Sequence, residues 1–443
     1  MWSDAAHAQT TSSTPQQAPS NAQPTPIAKP PLPNRANEAL PKWFRVRGEF
    51  RERFEGFSNA GFVDGRDDAY SLSRFRFNAT VTPNPMLSFQ VQAQDARVAS
   101  KQIGSTGAPF KGTFDLRMAF ADIGSAKSPI VVRVGRQELV YGEQRLLGHV
   151  SWLNTARTFD GVKAMVKGKK ISVDAFATSL VRIMDKEFDK SGNGNMFLGA
   201  YASTGAVIPK STLEPYVFFR GDRNIRTETG TTGALRVATL GTRWVGRLPA
   251  GLDYGIEMAA QTGSVGSDTV RAWGGHWQLR ETFPVKTKVA LTAEYNYGSG
   301  DEDPTDGTRG TFDQLYPTPH DKYGLADQFG WKNLHHLRAG FDITPVKGWP
   351  VTTNYHTWWL AQARDGLYAA SSAPFLRAPA GVVLNRHVGQ EIDVQVTRTI
   401  TPQLQVAGGY AHIFTGPFLK QVTPGKSYSA PYVMATYVFL ADK

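Results

Sequence analysis

The chain has 443 residues, no cysteine, 41% hydrophobic residues and a formal charge of +11. The missing thiols exclude disulfides and Cys-ligated metal centres, and no apolar run approaches the roughly 18 residues that a membrane-spanning helix needs. A soluble protein or a barrel with a polar inner face remains, and the excess of 49 Lys+Arg over 38 Asp+Glu calls for an anionic partner, with no nucleic-acid-binding motif to claim it.

Ala6-His7-Ala8 before Gln9 has the A-x-A form of a signal-peptide cleavage site. Residues 1–8 therefore read as the remnant of a signal peptide whose charged and apolar regions lie upstream of Met1. Residues 9–41 are rich in Pro, Gln and Ser, and the expectation there is a disordered tail. The folded unit is expected over 42–443.

From Lys42 onward the side-chain period is two. Arg45, Arg47, Glu49, Arg51, Arg53 and Glu55 alternate with Phe44, Val46, Gly48, Phe50, Glu52 and Phe54. A strand sends successive side chains to opposite faces, so one face is charged and the other mostly apolar. Arg74 and Arg76 oppose Phe75 and Phe77 in the same way. Asp115 and Arg117 oppose Leu116, Met118 and Phe120. Lys288 and Glu294 oppose Val289, Leu291 and Tyr295; Arg338 opposes Leu337; Glu391 and Asp393 oppose Ile392 and Val394. Tight turns such as 82–85, 167–169, 248–251, 345–348 and 400–402 alternate with long polar or Gly-rich connections at 99–111, 139–157, 298–332 and 363–386. This pattern predicts an all-β fold: a transmembrane antiparallel β-barrel of about eighteen strands. Trp43, Tyr70, Trp273, Trp277, Tyr295, Tyr297, Trp358 and Trp359 are expected as interfacial girdles.

The inward arginines carry the chemistry. A guanidinium stays charged and forks onto carboxylates, so a ladder of them offers many weak, exchangeable sites to an acidic solute. Arg45, Arg47, Arg51, Arg53, Arg74, Arg76, Arg117 and Arg133 are assigned to the lumen, with Lys288, Glu294, Arg338, Glu391 and Asp393. Arg136, Arg145, Arg157 and Asp160 flank a loop that can fold inward as a constriction. The competing reading makes the same residues salt-bridge ladders that stiffen the wall or pin a loop. Asp301, Asp303 and Asp306 form a weak Ca²⁺ candidate without the fixed positions of an EF-hand. His335 and His336 point to opposite faces of a strand and cannot share an ion. No nucleophile motif appears, and no cofactor is implied.

Four stretches resemble the alginate-export family of outer-membrane proteins. The first is Arg133-Val134-Gly135-Arg136-Gln137-Glu138-Leu139-Val140-Tyr141-Gly142, running on to Arg145-Leu146. The second is Trp152-Leu153-Asn154 through Arg157-Thr158-Phe159-Asp160-Gly161-Val162. The third runs from Ser299-Gly300-Asp301-Glu302-Asp303-Pro304 through Thr311-Phe312-Asp313-Gln314-Leu315-Tyr316-Pro317 to Trp331-Lys332-Asn333-Leu334. The fourth joins Gly389-Gln390-Glu391-Ile392-Asp393 to Phe414-Thr415-Gly416-Pro417-Phe418. The resemblance spans roughly residues 43–440. It implies an eighteen-stranded barrel and a positively charged conduit for an acidic polysaccharide.

The expected function is passive conduction of an anionic polysaccharide or sugar acid through the outer membrane of a Gram-negative bacterium. The alternatives are a porin for uptake of small acidic solutes and a barrel enzyme acting on lipid. Expected partners are outer-membrane lipid and lipopolysaccharide, the anionic solute and a periplasmic export scaffold, with the chain itself a monomer and not an enzyme.

Overall fold

Strands that alternate charge with aromatic residues can satisfy both faces at once only in a closed sheet, where one face meets lipid and the other a polar interior. The computed structural model describes residues 35–228, 230–249, 251–377 and 384–440, and they form that arrangement. The expected signal remnant and the tail as far as residue 34 lie outside the described residues.

Eighteen long strands follow one another: β1 (Phe44–Phe57), β2 (Asp68–Asn84), β3 (Leu87–Ala99), β4 (Gly112–Ile123), β5 (Ile130–Gln137), β6 (Phe159–Lys167), β7 (Ile171–Arg182), β8 (Asn195–Thr204), β9 (Ser211–Arg226), β10 (Thr232–Arg247), β11 (Asp253–Val265), β12 (Asp268–Thr282), β13 (Ala290–Gly298), β14 (Leu334–Val346), β15 (Trp349–Leu360), β16 (His387–Thr399), β17 (Leu404–Thr415) and β18 (Tyr428–Phe439). Each pairs antiparallel with its neighbours. β1 closes the ring against β18, with Gly48 opposite Phe439 and Glu55 opposite Tyr432. Closure leaves no unpaired edge, which a hydrocarbon environment would penalise.

The parity of β1 and β2 follows the sequence. Phe54 is 59% exposed on the outer face, whereas Arg53 beside it is 2% exposed. Phe50 and Phe75 likewise face out while Arg51, Arg74 and Arg76 are buried. Short turns gather at one end, including 85–86, 168–170 and 347–348. The other end carries the long segments 138–158, 299–333 and 361–386, together with a short helix, α2 (Pro417–Val422). Outer-membrane barrels place the short turns in the periplasm.

The structure differs from the sequence reading at four places. Residues 35–41 are not all tail: a short helix, α1 (Ala36–Ala39), carries Asn37. That amide donates to Val46 O and Leu440 O at 2.7 Å each and accepts from Val46 N at 2.9 Å. Lys288 is not on a strand; it lies exposed in the turn before β13 at φ +50°, because Pro284 starves that segment of a ladder donor. In β4 a register shift between Gln92 and Ala93 makes Arg117 a bulge residue, and Met118 and Phe120 turn inward with it. Tyr70 and Trp358 are buried inside, not in a girdle: the Tyr70 hydroxyl donates to Glu55 at 2.6 Å and the Trp358 indole to Tyr323 O at 3.1 Å.

Candidate functional site: the lumen and its two inward loops

The interior is where the long connections go. Segment 138–158 buries Leu139, Leu146, Leu147 and Val150, and segment 299–333 buries Phe312, Leu315, Tyr316, Tyr323, Phe329 and Trp331. Apolar loop residues in water would cost about 1.5–3 kcal/mol per large side chain; folded inward, Leu139, Leu146, Leu147, Phe312, Leu315, Tyr316, Tyr323 and Trp331 share a core with Phe159, Phe176, Phe197 and Phe218 of the wall, and Phe329 packs with Phe62 and Trp358. The two segments are zipped together. Tyr316 N donates to Leu146 O and Gly148 N to Tyr316 O, both at 2.9 Å, and Thr318 N donates to Gln144 O at 2.8 Å. Arg157 joins them by donating to Gly148 O at 3.0 Å and Pro317 O at 2.9 Å.

The arginines of β1 and β2 hold the first loop. Arg51 donates to Ser151 O at 2.9 Å and Trp152 O at 3.1 Å, Arg53 to Trp152 O at 2.5 Å, and Arg74 to Ser151 O at 2.7 Å. Arg53 also lies 3.8 Å from the centre of a Trp152 ring. Glu55 pairs with Arg53 and Glu49 with Arg74, each at 2.6 Å. Arg76 donates to Gln94 at 2.7 Å, but its buried Nη2 has no partner among the described residues. Arg117 bonds Gln92 and Glu138. Burial opposes the Glu138 charge, yet the Arg117 guanidinium prevails and holds that carboxyl at about 2.

The remaining expected residues are distributed around this centre. Arg45 sits near the short-turn rim and donates to Pro41 O at 2.7 Å. Arg47 is half-buried one step further in. Arg133 forks onto Asp122 at 2.7 and 2.8 Å, and Arg136 onto Asp160 at 2.8 and 3.1 Å; both are cross-strand ladder pairs. Arg145 reaches from the first loop to Glu294 on β13 at 2.9 Å, and Arg338 meets the same carboxylate at 2.5 Å. Sequence reasoning missed Arg220, which pairs with Asp313 of the second loop at 2.5 Å, and Arg243, which binds Glu214 at 2.5 Å and Glu143 at 3.1 Å. The period-two pattern of β9 and β10 was the available signal.

The calcium reading of the acidic loop is not supported by this arrangement. Asp301 Oδ1 accepts from Asp303 N, Asp303 Oδ1 from Thr305, and Asp306 Oδ1 from Thr308 N. Each carboxylate serves its own backbone turn, and the three do not converge. Among the described residues, one group has donor atoms close enough for an ion: His356, Glu391 and Asp393, all buried and within 4.8 Å of one another. Asn296 decides what faces that group. Its Nδ2 donates to Glu294 at 2.8 Å and to His336 Nδ1 at 2.9 Å, while its Oδ1 accepts from His276 Nδ1 at 2.8 Å. An amide nitrogen only donates, so His336 carries its proton on Nε2. That proton goes to His356 Nδ1 at 2.8 Å, which leaves the His356 proton on Nε2, 3.0 Å from Asp393 Oδ2. The nitrogen nearest the carboxylates thus carries a proton and not a lone pair, though it forms no hydrogen bond with them, and the residues do not fit a metal in this state.

With the lumen laid out, the comparisons fall into place. The family model described as alginate export matches residues 42–433. The chain belongs to the alginate export family. A search of curated proteins finds no match. Among solved structures, this family member resembles Pseudomonas aeruginosa OpdK (TM-score 0.61, 10% identity, covering 89% of this chain and 98% of that one). It also resembles OccK11 (OpdR) of the same organism (TM-score 0.59, 13% identity, 89% and 96%). A third is OccK2 (OpdF), solved in complex with glucuronate (TM-score 0.57, 11% identity, 89% and 96%). Those likenesses show the fold. With the family, they make the chain an outer-membrane channel.

Proposed function

We propose that this channel conducts an anionic sugar polymer or sugar acid passively, along the arginine-bearing arc of β1 to β4. The observation that carries the reading is the density of guanidinium there: Arg51 and Arg74 stand opposite each other in register, with Arg53, Arg76 and Arg117 buried beside them. Arg76 keeps an unpartnered buried donor, and an unpaired charge in a low-dielectric interior is costly until an anion meets it. Arg45 and Arg47 extend the arc toward the short-turn rim, Arg133, Arg136, Arg145 and Arg338 continue it as paired cations, and Arg157 adds a cation held by loop carbonyls. Asp160, Glu294, Glu391 and Asp393 hold those cations or the loops in place. Lys288 drops out of the path because it sits in a turn. A relative by fold, OccK2, was solved with a uronate, which supports the choice of sugar acids as probes.

Export of an acidic polysaccharide by a monomer that docks a periplasmic scaffold accounts for the family. Uptake of small acidic solutes is the second reading, and the two inward loops that fill the lumen favour it. Planar-bilayer recordings with di- to octameric oligouronates test both. Anion-selective reversal potentials that weaken in Arg45→Ala, Arg47→Ala and Arg76→Ala support conduction along this arc; unchanged potentials sink it. Block by short but not long oligomers favours uptake, and block by long ones favours export.

A further inference from the structure

One continuous line of side chains joins the two inward loops through the wall. It starts at Arg145 of the first loop, bound to Glu294 at 2.9 Å. It passes by hydrogen bonds through Asn296 and His336 to His356, whose Nε2 approaches Asp393 Oδ2 at 3.0 Å without a formed hydrogen bond, and Asn354 Nδ2 donates to Asp393 Oδ1 at 3.0 Å. It ends at Glu391, whose Oε1 accepts from Ala326 N of the second loop at 3.3 Å. Gly324 lies so close over Glu391 that a Cβ there would stand 2.8 Å from the carboxylate. His356 and His336 are both fully buried.

We propose that this line is a proton-operated latch that keeps both loops seated in the lumen and releases them on acidification. The proposal rests on the channel reading but on no particular solute. Its physical basis is the fixed polarity of the line. Both nitrogens of His336 and Nδ1 of His356 already have one role each, set by Asn296. A second proton on His336 would place N–H against the Asn296 N–H donors. A second proton on His356 would place N–H against the His336 Nε2–H at 2.8 Å. Either proton turns an attraction into a donor–donor clash in a buried site, where unmade hydrogen bonds are expensive. Asn296 would then lose its grip beside Glu294 and Arg145, and Asp393 and Glu391 would lose their alignment under Ala326.

The charged and titratable groups around the line come from several elements. Glu294 and Arg338 flank His336 from β13 and β14. His276 of β12 approaches Glu143 and Glu294 at 3.8 and 3.6 Å. Tyr323 of the second loop lies 5.8 Å from the His336 ring. Asp327 of that loop holds His320 at 2.7 Å and faces Glu391, as does Tyr428 of β18. His149 of the first loop bonds Gln144 at 3.0 Å. His276, His149 and His320 are the rival histidines, so the variants must separate them from the latch.

The test uses the full chain folded in lipid, its folding checked by heat-modifiable gel mobility. Hydrogen exchange of segments 138–158 and 299–333 and single-channel conductance are both followed from about pH 7.5 to about pH 5, the range over which histidines titrate. After correction for intrinsic exchange, loop amides should exchange roughly tenfold faster at the acid end, with conductance rising in parallel. His336→Gln with His356→Gln keeps polar groups that do not titrate and should flatten the response, whereas His356→Gln alone, which leaves His336, should lessen it. Equal loop protection across the range overturns the latch, as does an undiminished acid response in the double variant, which would assign the response to His276, His149 or His320. Absence of conductance at every pH would count against the channel reading, and the exchange data would still decide the latch.

Discussion

Arg51 and Arg74 stand directly across the β1–β2 ladder from each other, and both donate to one carbonyl, Ser151 O, at 2.9 and 2.7 Å. Two like charges in register repel. Here Glu49 and a cluster of loop carbonyls absorb that repulsion, and the loop is what the pair holds. Removing either guanidinium should therefore loosen the first loop. Arg74→Ala is expected to raise single-channel conductance and its noise and to lower thermal stability, since each bond from a charged donor contributes about 1.5–3 kcal/mol. A fall in conductance with quiet current would instead mean that attraction of anions outweighs pinning.

Arg157 bridges the loops through Gly148 O and Pro317 O. Arg157→Ala should separate them at a cost of about 2–4 kcal/mol, more than one charged bond because two carbonyls lose their donor. Limited proteolysis from the outer side is the readout: cleavage within 138–158 or 299–333 should accelerate, with the barrel itself untouched.

Gly324 sits at φ +122° under Glu391. A side chain there meets both backbone strain and a carboxylate at 2.8 Å. Gly324→Ala is expected to destabilise the second loop by about 1–3 kcal/mol, seen as faster hydrogen exchange around Ala326. Gly65, with nothing near its position, is the control for strain without the clash.

Acid stability should depend on Glu138. Its folded-state value of about 2 lies below the ordinary 4.5. A depressed carboxylate contributes stability above its unfolded value and loses it as pH falls through the folded one, so the window runs from about pH 4.5 down to about 2. The contribution is on the order of 3 kcal/mol. Melting temperatures of wild type and Glu138→Gln should differ most at neutral pH and converge near pH 2. This window lies below the histidine range, which separates it from the latch.

Phe50 faces lipid beside the inward Arg51. Phe50→Arg places a cation in hydrocarbon and should cost about 2–4 kcal/mol of folding in lipid vesicles. Equal folding yields would mean that this face does not touch the bilayer.

The strand parity was readable wherever one face was charged throughout, as in β1. It failed at Met118 and Phe120, because the bulge at Arg117 adds a residue without changing composition. It failed at Lys288, where chain polarity mimicked a strand that a proline prevents. The burial of the long connections was half-visible: Leu139, Leu146 and Leu147 are poor residues for an exposed loop. The line from Arg145 through His356 to Glu391 was not visible, since it depends on the register of four neighbouring strands, β13 to β16, and on the inward fold of the loop that carries Arg145.

The grip of Arg51, Arg53 and Arg74 falls on main-chain oxygens of residues 151–153 and, apart from the Arg53–Trp152 contact, on no side chain there. The anchorage is thus largely indifferent to the chemical identity of that segment. New side chains could be written at Ser151 and Leu153, with the hold on the wall unchanged, which makes this stretch a place where solute preference can be re-engineered without rebuilding the barrel.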